Sequence, residues 1–142
     1  MAPADAVTIL ALNSGSSSLK FGLYRVASAR TEILLSGEAE SIGARVGKFC
    51  ARDSRQIELV SETTSIPSQR EAIIRIGKLL ARSNLPAPAA VGHRIVHGGP
   101  KLRQHCLIDD SVLGQLAAAT AFAPLHTPAA LSVIRFAREH FP

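Results

Sequence analysis

The sequence predicts an α/β domain in which strands come first and helices then alternate with strands. Three observations carry that expectation. Residues 7–12 (VTILAL) form a short, continuous apolar run, and residues 19–26 (LKFGLYRV) alternate across a small-residue turn. Farther on, residues 68–80 and 109–116 pair helix-capping side chains with apolar residues at helical spacing.

In chain order, residues 7–12 read as a strand buried on both faces. With residues 19–26 it makes a β-hairpin closed by Asn13-Ser-Gly-Ser-Ser-Ser18. A third strand is expected over residues 32–40, and a weak one over 56–60, with no clear element between 41 and 55. Ser68-Gln-Arg-Glu71 is a capping box after Pro67. Ile73, Ile76, Leu79 and Leu80 continue its helix until Asn84 and the prolines 86 and 88 end it. Residues 89–96 (AAVGHRIV) make another strand. Asp109 caps a second helix whose apolar face is Val112, Leu113 and Leu116. Thr127, as cap, and Pro128 begin a third helix that reaches about His140.

Composition narrows the function classes. With 142 residues and 46% hydrophobic content the chain has material for one folded core, which argues against disorder. No apolar stretch approaches the roughly 20 residues of a spanning helix, so no membrane association is expected. The N-terminus has no secretory pattern, and Cys50 and Cys106 are far apart without metal-ligand spacing. Both features fit a cytoplasmic protein with reduced thiols. The net charge of +5 favours an anionic partner. Its basic residues form no run and do not interleave with aromatics, which speaks against nucleic acid and leaves phosphorylated small molecules.

Three segments carry chemistry. In Asn13–Lys20, Gly15 lets the backbone approach a ligand closely, while Ser16, Ser17 and Ser18 offer hydroxyls and amides for an anion nest. Lys20 adds charge two residues on. A plain polar turn has the same composition, and a Walker loop does not fit, since a strand follows instead of a helix. In Gly92-His-Arg-Ile-Val-His-Gly-Gly99, Arg94 stands near a strand end, where a guanidinium grips a carboxylate or phosphate with two parallel bonds. His93 and His97 on one strand would stand roughly 13 Å apart, too far for one ion. In Ala123-Pro-Leu-His-Thr-Pro128, His126 precedes a helix N-terminus, where it suits either donation to a developing phosphoryl charge or a plain bond to a loop carbonyl, the commoner role for a lone His.

The block Ile9-Leu-Ala-Leu-Asn-Ser-Gly-Ser-Ser-Ser-Leu-Lys20 resembles the first signature of the acetate kinase family, and the other two segments match that family in order and approximate spacing. The resemblance covers essentially the whole chain but only about the N-terminal third of a family member. It implies the ribonuclease-H-like fold of actin, the sugar kinases and the heat-shock ATPases. Residues 1–142 would then be an incomplete N-terminal domain, ending before its last strand and helix, without the C-terminal nucleotide-binding domain. It further implies reversible transfer of the ATP γ-phosphoryl group to acetate, giving acetyl phosphate and ADP, with Mg²⁺.

By the same resemblance Asn13 helps place the metal, Ser16, Ser18 and Lys20 line the phosphate path, and Arg94 and His126 are catalytic. Arg94 would also hold the acetate carboxylate, with Val96 and Leu125 around its methyl group. Thr127 stands where the family usually has Asn. The family's catalytic Asp, second Arg and adenosine pocket would lie beyond Pro142, so residues 1–142 alone are expected to lack turnover. A homo-oligomer is expected, as in the family, and the strand at 89–96 would offer an open edge for self-association. Two alternatives stay open: a propionate or butyrate kinase of the same family, or a non-catalytic phosphate-binding module.

Overall fold

A computed structural model describes residues 4–95, 98, 102, 104–121, 124 and 127–141. Five strands run up and down in sequence: β1 (Val7–Ser14), β2 (Leu19–Val26), β3 (Thr31–Glu40), β4 (Gly47–Asp53) and β5 (Glu58–Thr64). Helix α1 (Gln69–Arg82) then crosses over to β6 (Ala90–His93), which is parallel to β1. Helices α2 (Asp110–Ala118) and α3 (Thr127–His140) follow. The single sheet has the order β5-β4-β3-β2-β1-β6.

Burial alternates along the strands, and that alternation assigns the layers. Leu10 and Leu12 on β1, Leu19, Phe21 and Leu23 on β2, and Phe49 on β4 are buried together with Ile73, Ile76 and Leu79 of α1 and Val133 and Ala137 of α3. Both helices therefore cover one face of the sheet. A smaller cluster of Leu116, Leu131 and Ile134 joins α2 to α3. The expectation that β1 is buried on both faces is corrected: Ile9 and Ala11, on the opposite face, are only half-buried. An apolar run does not by itself say whether a second layer covers the outer face.

The caps behave largely as their chemistry requires. Ser68 Oγ accepts from the Glu71 amide at 3.2 Å, and Asp109 Oδ1 accepts from the Val112 amide at 2.8 Å. Glu71 itself turns along the helix towards Arg75, which also binds Glu62 of β5 at 2.9 Å and ties α1 to the sheet edge. Helix α3 includes Thr127 as its first residue instead of starting after it.

The region 41–64 departs most from expectation. It holds a full strand, β4, and places the next one at Glu58–Thr64 in place of 56–60. Asp53 Oδ1 accepts from the amides of Arg55 and Ile57, and Gln56 takes a positive φ of 66°. Residues 54–57 are thus the turn of the β4–β5 hairpin. Strand β6 is shorter than the expected 89–96; Val96 lies outside the described residues.

Candidate functional site

The strand register brings three of the expected site residues side by side. Asn13 on β1 stands directly opposite Lys20 on β2, and Leu12 stands beside His93 of β6. Arg94, one residue beyond that pair, donates its amide to the Leu12 carbonyl at 3.0 Å and so sits in register with Asn13. Residues paired across strands share a face. Lys20, Asn13 and Arg94 therefore form a row across three neighbouring strands, about 10 Å from end to end at ~4.8 Å per strand. The row lies on the face that the helices leave open.

Two residues below this row, on the same face, the sheet carries small residues. Ala11, Gly22 and Gly92 are aligned there, and all three line an open cleft of about 1770 Å³ with Asn13, Lys20 and Arg94. A Cβ at Gly22 would come within 2.7 Å of the Tyr24 ring, which folds back over that position. The cleft also wraps round the β6 edge to His93, Leu116 and Phe141 on the other face. Its lining contains Lys20, Arg94 and Arg138 but no carboxylate among the described residues. Arg138 is within 3.5 Å of the exposed Asp110, whereas neither Lys20 nor Arg94 joins an ion pair among the described residues. Two cations with an amide between them, facing a hollow, suit an anion.

The serine turn stands beside this cleft. Ser16 and Ser18 are not part of the cleft lining. They belong to the four-residue turn between β1 and β2, where the Gly15 amide donates to the Ser18 carbonyl at 2.9 Å and the Ile42 amide to the Ser17 carbonyl at 2.8 Å. The turn is further held by Gln69 Nε2, which donates to the Gly15 and Ser18 carbonyls. In the sequence Gln69 is only the second residue of a capping box, and nothing local marks it or Tyr24 as part of the site. Val96, Leu125 and His126 lie outside the described residues.

For a metal, Asn13 offers one neutral oxygen, and no group of three or more His, Cys, Asp or Glu side chains is placed to hold an ion among the described residues. These side chains do not make a metal site by themselves. Magnesium keeps much of its water and is commonly held through substrate phosphates, so it would have to arrive with its ligand. Cys50 and Cys106 are free thiols.

His93 is the group in the cleft with a displaced titration: burial lowers its pKa from 6.5 to about 4. The neutral ring is thus the native form. Between pH 6.5 and about 4 the unfolded chain binds a proton that the folded chain refuses, so stability falls as pH falls through that window. The loss is at most about 1.4 kcal/mol per pH unit. Urea unfolding of His93→Gln at pH 7 and pH 5 is expected to show a smaller loss than the parent; an equal loss refutes the assignment.

The arrangement defines a class: an α/β domain with a cationic, small-floored cleft at the ends of β1, β2 and β6. Comparison with known proteins places it within that class. Residues 8–142 match the model of the Acetokinase family. The chain is 39% identical over 131 residues to an acetate kinase of Campylobacter lari, covering 89% of this chain and 32% of that protein. It is 38% identical over 141 residues to an acetate kinase of Borrelia hermsii, covering 94% and 34%. Among solved structures it superimposes on acetate kinase from Porphyromonas gingivalis with a TM-score of 0.83 at 27% identity, and on a propionate kinase from Francisella tularensis with a TM-score of 0.81 at 31% identity. Each match covers 94% of this chain and 34% of the other. The chain belongs to the acetokinase family, whose named members here are phosphotransferases, and it spans about a third of the length of the relatives it matches.

Proposed function

We propose that this chain forms the acyl- and phosphoryl-facing part of an acetate kinase, which moves the γ-phosphoryl group of ATP to acetate and back. The observation that supports this best is the row Lys20–Asn13–Arg94 over a floor of small residues, in a cleft without carboxylates among the described residues. Phosphoryl transfer asks a protein chiefly to align its reactants and offset spreading negative charge. In this reading Arg94 holds the acetate carboxylate or the transferring group through its two parallel N–H donors. Lys20 faces the phosphate chain, and Asn13 would offer its amide oxygen to a magnesium ion arriving with the nucleotide, which would offset phosphate charge. His126 would donate to the phosphoryl oxygens, with Val96 and Leu125 around the acetate methyl. Ser16 and Ser18 act through the turn that joins the two strands.

The 142 residues alone are expected to release no ADP in a coupled assay with ATP, magnesium and acetate, because two-thirds of the relatives' length has no counterpart in them. The decisive arm is a chimera in which residues 8–141 replace the matching segment of the Porphyromonas gingivalis acetate kinase. Acetate-dependent ADP release by the chimera supports the reading. A folded chimera that binds ATP yet transfers nothing contradicts it.

The likeness to a propionate kinase supports a second substrate. A hydrophobic pocket separates acyl groups differing by one methylene by only about 1–3 kcal/mol, so the chimera is compared on acetate, propionate and butyrate. The proposal also covers a cytoplasmic location and a homo-oligomer. No helix among the described residues is long and apolar enough to cross a membrane. Strand β6 ends the strand order, and its free side offers backbone groups to a further strand.

A further inference from the structure

We propose that Gln69 is a positioning residue, whose side-chain amide sets the geometry of Asn13 and Lys20 by clamping the turn between them. The proposal rests on the phosphoryl-transfer reading above. Gln69 is the first residue of α1, buried to 9% exposure, and its Nε2 donates to the Gly15 carbonyl at 3.2 Å and to the Ser18 carbonyl at 3.3 Å. These are the first and last residues of the turn. Asn13 lies two residues before Gly15 and Lys20 two residues after Ser18.

The amide has only one workable orientation, since the flipped form would set its oxygen against two carbonyl oxygens. The mount is rigid as well: Ser68 caps the helix, and Ala72, Ile73 and Ile76 bury it in the core. One donor group on a fixed helix thus closes the turn from both ends, while the Ile42 amide tethers its middle through Ser17.

A second observation separates positioning from packing. Gln69 Oε1 is buried and has no hydrogen-bond partner among the described residues. An acceptor in that position adds nothing to the fold, and an apolar side chain of the same shape would lack it. Methionine would fill the space with less loss of stability. A glutamine here is explained by what its two N–H groups hold, not by what its bulk fills.

The test compares Gln69→Met and Gln69→Glu with the parent 142-residue chain. For Gln69→Met the unfolding midpoint falls only slightly, because relief of the unpaired Oε1 is set against the two donors lost to the Gly15 and Ser18 carbonyls. Amide exchange at Gly15 and Ile42 accelerates about tenfold, as expected for two lost hydrogen bonds. Affinity for inorganic tripolyphosphate, read by calorimetry, falls by about fivefold or more. Gln69→Glu is equally fast at neutral pH and recovers part of the protection as its carboxyl gains a proton and becomes a single donor, able to hold one of the two carbonyls, a pH dependence that packing does not give. Unchanged exchange in Gln69→Met overturns the proposal, and so does faster exchange accompanied by a general loss of stability. If the parent chain binds no tripolyphosphate, or Lys20→Ala leaves binding intact, the phosphate reading fails instead. The exchange data then still decide whether Gln69 shapes the turn.

Discussion

Arg94→Ala is expected to lower kcat/KM for acetate phosphorylation about a thousandfold in the chimeric enzyme, in line with removing one charge-stabilising donor from a transferring group. Arg94 follows β6, and its amide continues the ladder to the Leu12 carbonyl, so its backbone stays in place when the side chain is cut. The loss is therefore one of charge and of two directed donors. Arg94→Lys should restore only part of it, because an ammonium supplies charge without the planar fork. Steady-state kinetics of the three proteins, together with a shared circular dichroism spectrum, checks this. An alanine variant within threefold of the parent would remove Arg94 from the site.

The second large effect concerns stability. Phe49→Ala is expected to cost about 3–5 kcal/mol, the range for deleting a buried aromatic ring. Phe49 is 2% exposed and stacks on Phe21 with ring centroids 5.6 Å apart. The two rings come from β4 and β2, with β3 between them, and they meet because that strand carries Gly37. A Cβ there would collide with both Phe21 Cζ and the Cys50 carbonyl oxygen. Removing the Phe49 ring leaves a cavity above β3 that no neighbouring chain can fill without breaking the register. Urea unfolding should show a lower midpoint with an unchanged m-value. A change below about 1 kcal/mol, as for an exposed position such as Val46, would mean that the core is organised differently.

Legibility in the sequence followed the range of the forces involved. Local signals were clear: Ser68 and Asp109 as caps, the alternation of β2, and the helical spacing of Ile73, Ile76 and Leu79 all reappear in the structure. Strand β4 escaped because only Phe49 and Ala51 mark its inner face, and its existence depends on pairing with β3 and β5. The same pairing draws β5 past Val60 to Thr64. In the site, Asn13, Lys20 and Arg94 were legible as chemistry, but their alignment depends on register, which one chain segment does not encode alone. The composition of Ser16–Ser18 suits both an anion nest and a plain turn, and only the structure shows the backbone bonds that tie Gly15 to Ser18 and Ser17 to Ile42. Gln69 was hidden because its partners are 51 and 54 residues away.

Everything functional above depends on Lys20, Asn13 and Arg94 meeting one anion together. Titrating the isotopically labelled chain with tripolyphosphate, and following its backbone amide resonances, examines that directly. The account predicts saturable shifts centred on residues 13, 20 and 92–94, lost in Arg94→Ala. Saturable shifts confined to other surfaces, or shifts at residues 13 and 20 that persist unchanged in Arg94→Ala, would contradict it.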